Sequence, residues 1–454
     1  MWGIAVCLVA IIFVIMNHWV YSWRNPKCNG KLPPGSLGFP VIGETIQFFT
    51  PHSLYDIPPF IRKRMDRYGP LFLTSLVGQK VVVSTDPEIN YAIFQQENKS
   101  FVIWYTESFL EIIGQKSMMS YHGNLHKYLR NLILHLVGPE NLRANLLHEL
   151  DQTTRRHLHS WTTLGTVDVK EGVSQNLRGN FKAFMDGLIS FPLNIPGTAF
   201  HACIQGRKRA VKVIKDVYRE RKASKMRGND FIDDLIEEVE KEETILNEAI
   251  AVDLVFLILF ASHETTSQAM TLLAKYIFDH PQVLAELRKE HEAILRSREK
   301  EKSEMITWEE YKSMTFTHMV INETVRLANI VPGIFRKVVN DVNIKGYTIP
   351  AGWSIMVVPS VIHLNHDKYE NPLAFNPWRW EGKELHAGSK TFMAFGGGVR
   401  LCVGADFAKL QMAIFVHHLV TKYSWSVIEG GDVVRKPGLI FPNGLHIQIA
   451  EMNN

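Results

Sequence analysis

Cysteine is scarce in this chain. Its four cysteines, Cys7, Cys28, Cys203 and Cys402, are scattered over 454 residues without any CxxC spacing. That pattern supplies neither a zinc site nor a disulfide framework and suits a reducing compartment. Charge of one sign is also lacking: 50 Lys and Arg stand against 46 Asp and Glu, a formal balance of +4. So mild a balance gives no reason to expect nucleic acid as a partner, although it suits an acidic protein or an anionic lipid surface. There is no internal repeat and no low-complexity linker. At this length the chain is two domains or one unusually large one, and the even distribution of its patterns favours one large, mostly helical body.

What is present begins at the N-terminus. Trp2 to Met16 is an unbroken apolar run that extends, through Asn17 and His18, to Trp23, about the length needed to cross the hydrocarbon core of a bilayer. Trp19, Tyr21 and Trp23 would form an aromatic belt, and Arg24, Lys27 and Lys31 follow at once. No charged side chain precedes the run, so the positive-inside rule places the rest of the chain in the cytosol as a single-pass protein. A cleaved signal peptide would need a basic segment ahead of the run. Residues 1–23 therefore read as a membrane anchor and residues 24–44, with Pro33-Pro34-Gly35 and Gly38-Phe39-Pro40, as a stiff Pro/Gly-rich hinge.

Within the body, Pro70 to Thr85 reads as a hairpin turning near Gly78, and Asp86-Pro87 as a helix start. Short strands are expected at Val338–Ile344, Ser354–Val358 and Leu445–Ile449, the last after the Asn443-Gly444 turn signal. The sign-alternating stretch from Arg288 to Glu304 reads as a solvated helix face.

Three segments carry chemistry. Phe395-Gly396-Gly397-Gly398-Val399-Arg400-Leu401-Cys402-Val403-Gly404 surrounds one thiol with glycines that permit a tight loop. The helix start that follows favours a thiolate. Cys402 is then either a metal ligand of the haem-thiolate kind or a small buried hydrophobe. Leu254 to Phe260 is apolar on all sides, in a helix of about 30 residues that would run about 45 Å to the His280-Pro281 stop. In its middle, Ala261-Ser262-His263-Glu264-Thr265-Thr266 is either a proton relay or ordinary threonine back-bonding beside a solvated glutamate. Finally, Glu323 and Arg326 share one helix face, flanked by apolar residues, and a buried pair needs further partners. Arg379, in Phe375-Asn376-Pro377-Trp378-Arg379-Trp380, is suited to complete the set.

An acid–threonine pair in a long buried helix, then ExxR, then an aromatic-Pro-x-Arg segment, then FxxGxRxCxG: in this order the chain resembles the cytochrome P-450 haem-thiolate monooxygenases over essentially all of residues 31 to 450. Gly43-Glu44-Thr45 and Phe191-Pro192-Leu193-Asn194-Ile195-Pro196-Gly197-Thr198 make it similar to the plant members that oxidise sterols, brassinosteroids and triterpenoids. The resemblance implies a mainly α fold with a minor β-sheet region, and residues 45–454 as the haem-binding domain. It implies haem b as cofactor, with NADPH acting indirectly through a reductase. Cys402 would be the axial metal ligand, and Glu264 and Thr265 the catalytic proton donors. Cofactor-binding residues would be Arg130, His126, Ala261, Arg336, Phe395, Arg400 and Gly404. Glu323, Arg326 and Arg379 would form the structural triad. The implied protein is monomeric and sits in the endoplasmic reticulum membrane. It would hydroxylate a large lipophilic substrate, with residues 104–118, Val331–Phe335 and Leu439–Phe441 as candidate pocket walls. Phe191–Phe200 would lie near the bilayer, and a mildly basic face around Lys127, Arg130 and Lys409 would receive the reductase.

Three departures from the family pattern stand out. Ser262 replaces a glycine, and His126 stands where many members carry a tryptophan. Near residues 171–176, only Gly172-Val173-Ser174-Gln175 stands where relatives carry a helical segment of a couple of dozen residues. A shortened, poorly active or regulatory isoform that binds haem weakly is therefore one alternative. A reductase-independent haem-thiolate isomerase is the other, opposed by the retained Glu264-Thr265 pair.

Overall fold

Local chemistry sets the boundaries of most elements. The computed structural model describes residues 2–173, 192–224, 228, 230–298, 305–383 and 389–452. Helix α1 (Trp2–Arg24) is apolar from Trp2 to Met16, and its stretch from Ala5 is long and apolar enough to cross a membrane, with none of it buried. Pro34 and Ser36 then exchange backbone hydrogen bonds with Leu73, so the hinge lies along strand β1 (Leu71–Leu76). Strand β2 (Gln79–Ser84) returns through a turn in which Val77 and Gly78 both have positive φ, the conformation of a two-residue hairpin. Asp86 caps helix α2 (Pro87–Gln95) by accepting from the Glu88 and Ile89 amides. Strand β3 (Phe101–Ile103) and helix α3 (Gly123–Val137) follow. Next come strand β4 (Thr166–Asp168) and the short helix α4 (Val169–Val173).

Helix α5 (Ala199–Ser224) leads to α6 (Glu248–Asp279), the 32-residue helix that crosses the body. Asn247 caps it, so it begins six residues ahead of the apolar stretch that marks it in the sequence. Helices α7 (Pro281–Arg298) and α8 (Thr315–Ala328) pack beside it, followed by β5 (Ile334–Val338), β6 (Ser354–Val357), α9 (Ala405–Lys422), β7 (Tyr423–Gly430) and β8 (Leu445–Glu451). The largest sheet has the order β1-β2-β6-β5-β3, with β2 and β6 parallel. A second sheet pairs β7-β8-β4. The main core gathers α6, α7, α8 and α9, and a second cluster joins α3, α5 and the first half of α6.

Several expectations need correction. The strand expected over Val338–Ile344 is two: β5 ends at Val338, and Val342–Ile344 pairs with Tyr347–Ile349 as a separate hairpin whose turn, Lys345-Gly346, has positive φ. The Asn443-Gly444 turn joins no paired strands, because Leu439–Ile440 pairs with Val434–Arg435 while β8 pairs with β7. The charged stretch from Arg288 has a buried side. His291 is fully buried, Arg298 is bidentate to Glu310, and Glu290 accepts from the Phe316 and Thr317 amides at the start of α8; residues 299–304 lie outside the described residues. Phe200 is buried against α6 and cannot face a bilayer, and Phe191 is outside the described residues. Of the stretch near 171–176 where a segment is expected to be missing, residues 171–173 belong to α4, and 174–176 lie with the rest of 174–191 outside the described residues.

Candidate functional site

The loop before α9 is held by close backbone approaches. A Cβ on Gly398 (φ +64°) would lie 2.3 Å from the Phe94 carbonyl oxygen, and one on Gly397 would lie 2.6 Å from the Phe94 ring. Glycine is therefore required at both positions for the loop to seat against α2. The Cys402 amide donates to the Phe395 carbonyl at 2.9 Å, which turns Cys402 into the start of α9. Phe395 packs on the main core, with Lys409 5.6 Å above its ring. Cys402 is an exposed residue, yet desolvation by the protein around its sulfur pushes the thiol up, against a backbone hydrogen bond from Gly404 and the charge of Arg130. A coordinating metal deprotonates such a thiol outright.

On α6, Ala261 and Thr265 are exposed one turn apart in the middle of a mostly buried helix. Thr265 Oγ1 donates to the Ala261 carbonyl at 2.7 Å, and Ser262 Oγ to the Leu259 carbonyl at 3.4 Å. Glu264 faces the other way and is buried. Its Oε1 accepts from Lys170 Nζ at 2.6 Å and from Gln268 Nε2 at 2.8 Å, and Gln268 also donates to the Leu439 carbonyl. Lys170, on α4, is half-exposed and is the link from Glu264 toward solvent. Spacing in the sequence gave no sign of Lys170 or Gln268. Val403 and Phe407 pack into the cluster that also holds Ile258, Leu259 and Phe260, which brings the cysteine loop onto this helix.

Glu323, Arg326 and Arg379 meet as expected. Both Glu323 and Arg326 are 0% exposed, and Arg326 binds both Glu323 oxygens at 2.8 Å. Arg379 Nε donates to Glu323 Oε1 at 2.9 Å. Sequence reasoning missed two further donors, Trp380 Nε1 at 3.0 Å and the Asn376 amide at 3.0 Å. Arg326 also caps the carbonyls of His363 and Pro372, so the set ties α8 to the segment that precedes the cysteine loop.

Three guanidiniums approach the cysteine loop. Arg130 Nη1 donates to the Leu401 carbonyl at 2.6 Å. Arg336, on β5, and Arg400 both pair with the buried Glu97. His126 is buried beneath them, and burial together with Arg400 and Arg130 pushes its pKa down to about 4. The expected basic docking face is thinner than the sequence suggests. Lys127 is exposed, but Arg130 is turned inward and burial holds Lys409 below the usual lysine range. Among the candidate pocket walls, Trp104 meets Phe335 edge-on and Tyr105 stacks on Phe109, whereas Leu439 and Phe441 belong to the main core.

These residues suit a haem. Cys402 is exposed, one turn of α6 exposes an alanine and a back-bonded threonine, and Arg130, Arg336 and Arg400 gather on the cysteine loop and Glu97, a set of cations that two carboxylates would match. The cytochrome P450 family profile matches residues 164–446. Cytochrome P450 87A3 of Oryza sativa subsp. japonica is 54% identical over 459 residues, covering 96% of this chain and 89% of the relative. Beta-amyrin 16-alpha-hydroxylase CYP87D16 of Maesa lanceolata is 40% identical over 477 residues, covering all of both chains. The fold is that of the retinoic acid bound cyanobacterial CYP120A1, with a TM-score of 0.83, 24% identity and coverage of 94% of this chain and 100% of the other. The chain belongs to the cytochrome P450 family. It is a haem b monooxygenase of the plant group whose members hydroxylate triterpenoids and sterols, supplied with NADPH electrons through a reductase.

Proposed function

We propose that this protein hydroxylates a triterpenoid or sterol at an unactivated C–H bond, with Cys402 as the residue that would hold the haem iron. The full-length identity to a β-amyrin hydroxylase carries the substrate class. The overall change consumes the substrate, O2, NADPH and one proton, and yields the alcohol, water and NADP+. The bound haem supplies oxygen activation through its thiolate-ligated iron. The chain's own residues do the rest. Arg130, Arg336 and Arg400 would hold the propionates, and burial with the nearby arginines keeps His126 neutral beside them. Ala261 leaves space on the oxygen side. Thr265, with its own proton committed to the Ala261 carbonyl, presents its hydroxyl oxygen to hold a water there. Glu264, turned away from that face and paired with Lys170 on its solvent side, takes up protons there and swings toward Thr265 to deliver them. Glu323, Arg326 and Arg379 fix the backbone that leads to the cysteine loop, and Phe395 and Gly404 frame the loop itself.

On this reading the anchor α1 sits in the endoplasmic reticulum membrane with the body in the cytosol as a monomer, where a membrane reductase reaches the exposed side of Lys127. A panel of triterpenoids and sterols incubated with NADPH and plant reductase, read by mass spectrometry, tests it. A product heavier by one oxygen that depends on NADPH is expected. Turnover without reductase, or an isomer of unchanged mass, overturns it.

A second reading, a shortened isoform that holds haem weakly, is supported by one observation. The alignment to the β-amyrin hydroxylase runs over 477 positions although this chain has 454 residues, so it opens gaps in this chain. Helix α4 leads into residues 174–191, and it carries both Lys170 and Gly172, where a Cβ would lie 2.6 Å from the Trp161 ring. Haem content and the carbon monoxide difference spectrum followed on warming decide between the two. Full haem occupancy that survives warming removes the second reading.

A further inference from the structure

Glu97 stands between the two arginines that the proposed function assigns to the propionates, and the inference rests on that assignment. It follows the end of α2, and its side chain is 1% exposed. Its Oε2 lies 2.6 Å from Arg336 Nε and its Oε1 lies 3.1 Å from Arg400 Nε. Oε1 also accepts the Ile103 amide at 3.0 Å, which anchors the carboxylate to β3. Arg400 donates its Nε–H to the carboxylate, and Arg336 brings its Nε beside the other oxygen as an ion pair without a hydrogen bond. Arg400 Nη2 is committed to the Tyr121 carbonyl at 2.7 Å and Arg336 Nη1 to the Phe335 carbonyl at 2.9 Å. Arg336 Nη2 and Arg400 Nη1 donate to no protein group among the described residues.

The charge balance points the same way. Arg130, Arg336 and Arg400 against Glu97 leave two positive charges uncompensated, the number that two propionates carry. Neutral His126 adds none. Without a carboxylate at 97, two buried guanidiniums would face each other with no counter-ion, and long flexible side chains relieve that by swinging apart.

We infer that Glu97 is a positioning residue for the cofactor: its charge holds Arg336 and Arg400 side by side and leaves their free Nη nitrogens for the two propionates. Groups behind a ligand's direct partners commonly matter in this way.

The test compares full-length protein loaded with iron protoporphyrin IX and with its dimethyl ester, which lacks propionate charge. The readout is the rate of porphyrin loss to excess apomyoglobin. The wild type should hold haem more tightly than the ester. In Glu97→Gln, which keeps the shape but turns a donor toward one arginine, the preference should shrink by about 10–100-fold while retention of the ester changes little. Glu97→Asp keeps the charge but is one methylene short of both guanidiniums, and should shrink the preference in the same direction. An unchanged or larger preference in both variants overturns the inference, as does equal loss of haem and ester, which marks a merely structural residue. Failure of both variants to fold also counts against it. A wild type that holds haem and ester alike instead refutes the propionate assignment itself.

Discussion

Replacing Glu323 with glutamine should damage this protein more than almost any other isosteric change. The carboxylate is 0% exposed and accepts five hydrogen bonds: two from Arg326, and one each from Arg379, Trp380 and the Asn376 amide. A glutamine can accept at one oxygen only, and its NH2 meets donors. The substitution leaves Arg326, also 0% exposed, without a counter-ion and Arg379 with only backbone carbonyls. Breaking one partner of a buried ion pair costs about 3–5 kcal/mol, a large share of the about 5–15 kcal/mol that holds a typical protein folded. With an unfolding entropy of about 2.1 cal/mol/K per residue, a chain of 454 residues should lose about 3–5 °C in its melting temperature. Urea unfolding followed by tryptophan fluorescence, with haem content measured alongside, checks this. Because the network ties α8 to the cysteine loop, haem content should fall as well. A shift below about 1 kcal/mol, the value of a surface pair, with full haem content would refute the reasoning.

Gly398→Ala should lower haem incorporation several-fold, because its Cβ would meet the Phe94 carbonyl and the backbone sits at positive φ; pyridine haemochrome assay of purified protein measures it, and normal incorporation would show that the loop moves freely. Acid should destabilise the fold steeply. Burial pushes His291 and His363 down to about 3 from the ordinary 6.5. His363 Nε2 accepts the Met393 amide, so the neutral ring is the one that fits. Lowered values mean the stability is whole above pH 6.5 and is lost as the pH falls from there toward 3, at about 1.4 kcal/mol per pH unit for each ring. His363→Gln should flatten that slope in urea midpoints taken at successive pH values. Lys170→Gln removes the half-exposed partner of Glu264, and should reduce product formed per NADPH consumed several-fold while haem content stays unchanged.

The legible parts of this chain were those fixed by covalent spacing. Glu323 and Arg326 are one helix turn apart, Cys402 lies two residues past Arg400, and Asp86-Pro87 can hardly be anything but a helix start. The apolar run of α6 announced a buried helix, although its exact start depends on the Asn247 cap, which lies ahead of that run. What stayed hidden were partners distant in sequence. Lys170 reaches Glu264 across 94 positions, Glu97 reaches Arg400 across 303, and Trp380 joins the triad through an indole N–H that its neighbours disguise as packing. Burial was the other blind spot. Phe200, Phe441 and Lys409 carry the composition of a surface or a pocket, and only the packing of α5, α6 and α9 assigns them elsewhere.

The central claim is that the Cys402 thiolate holds the iron, and the carbon monoxide difference spectrum of the reduced protein tests it most directly. The wild type should show the long-wavelength Soret band that a thiolate ligand gives. Cys402→His should keep bound haem but move that band to the shorter wavelength of an imidazole ligand. A wild type without the thiolate band, or a Cys402→His protein that retains it, would contradict the account.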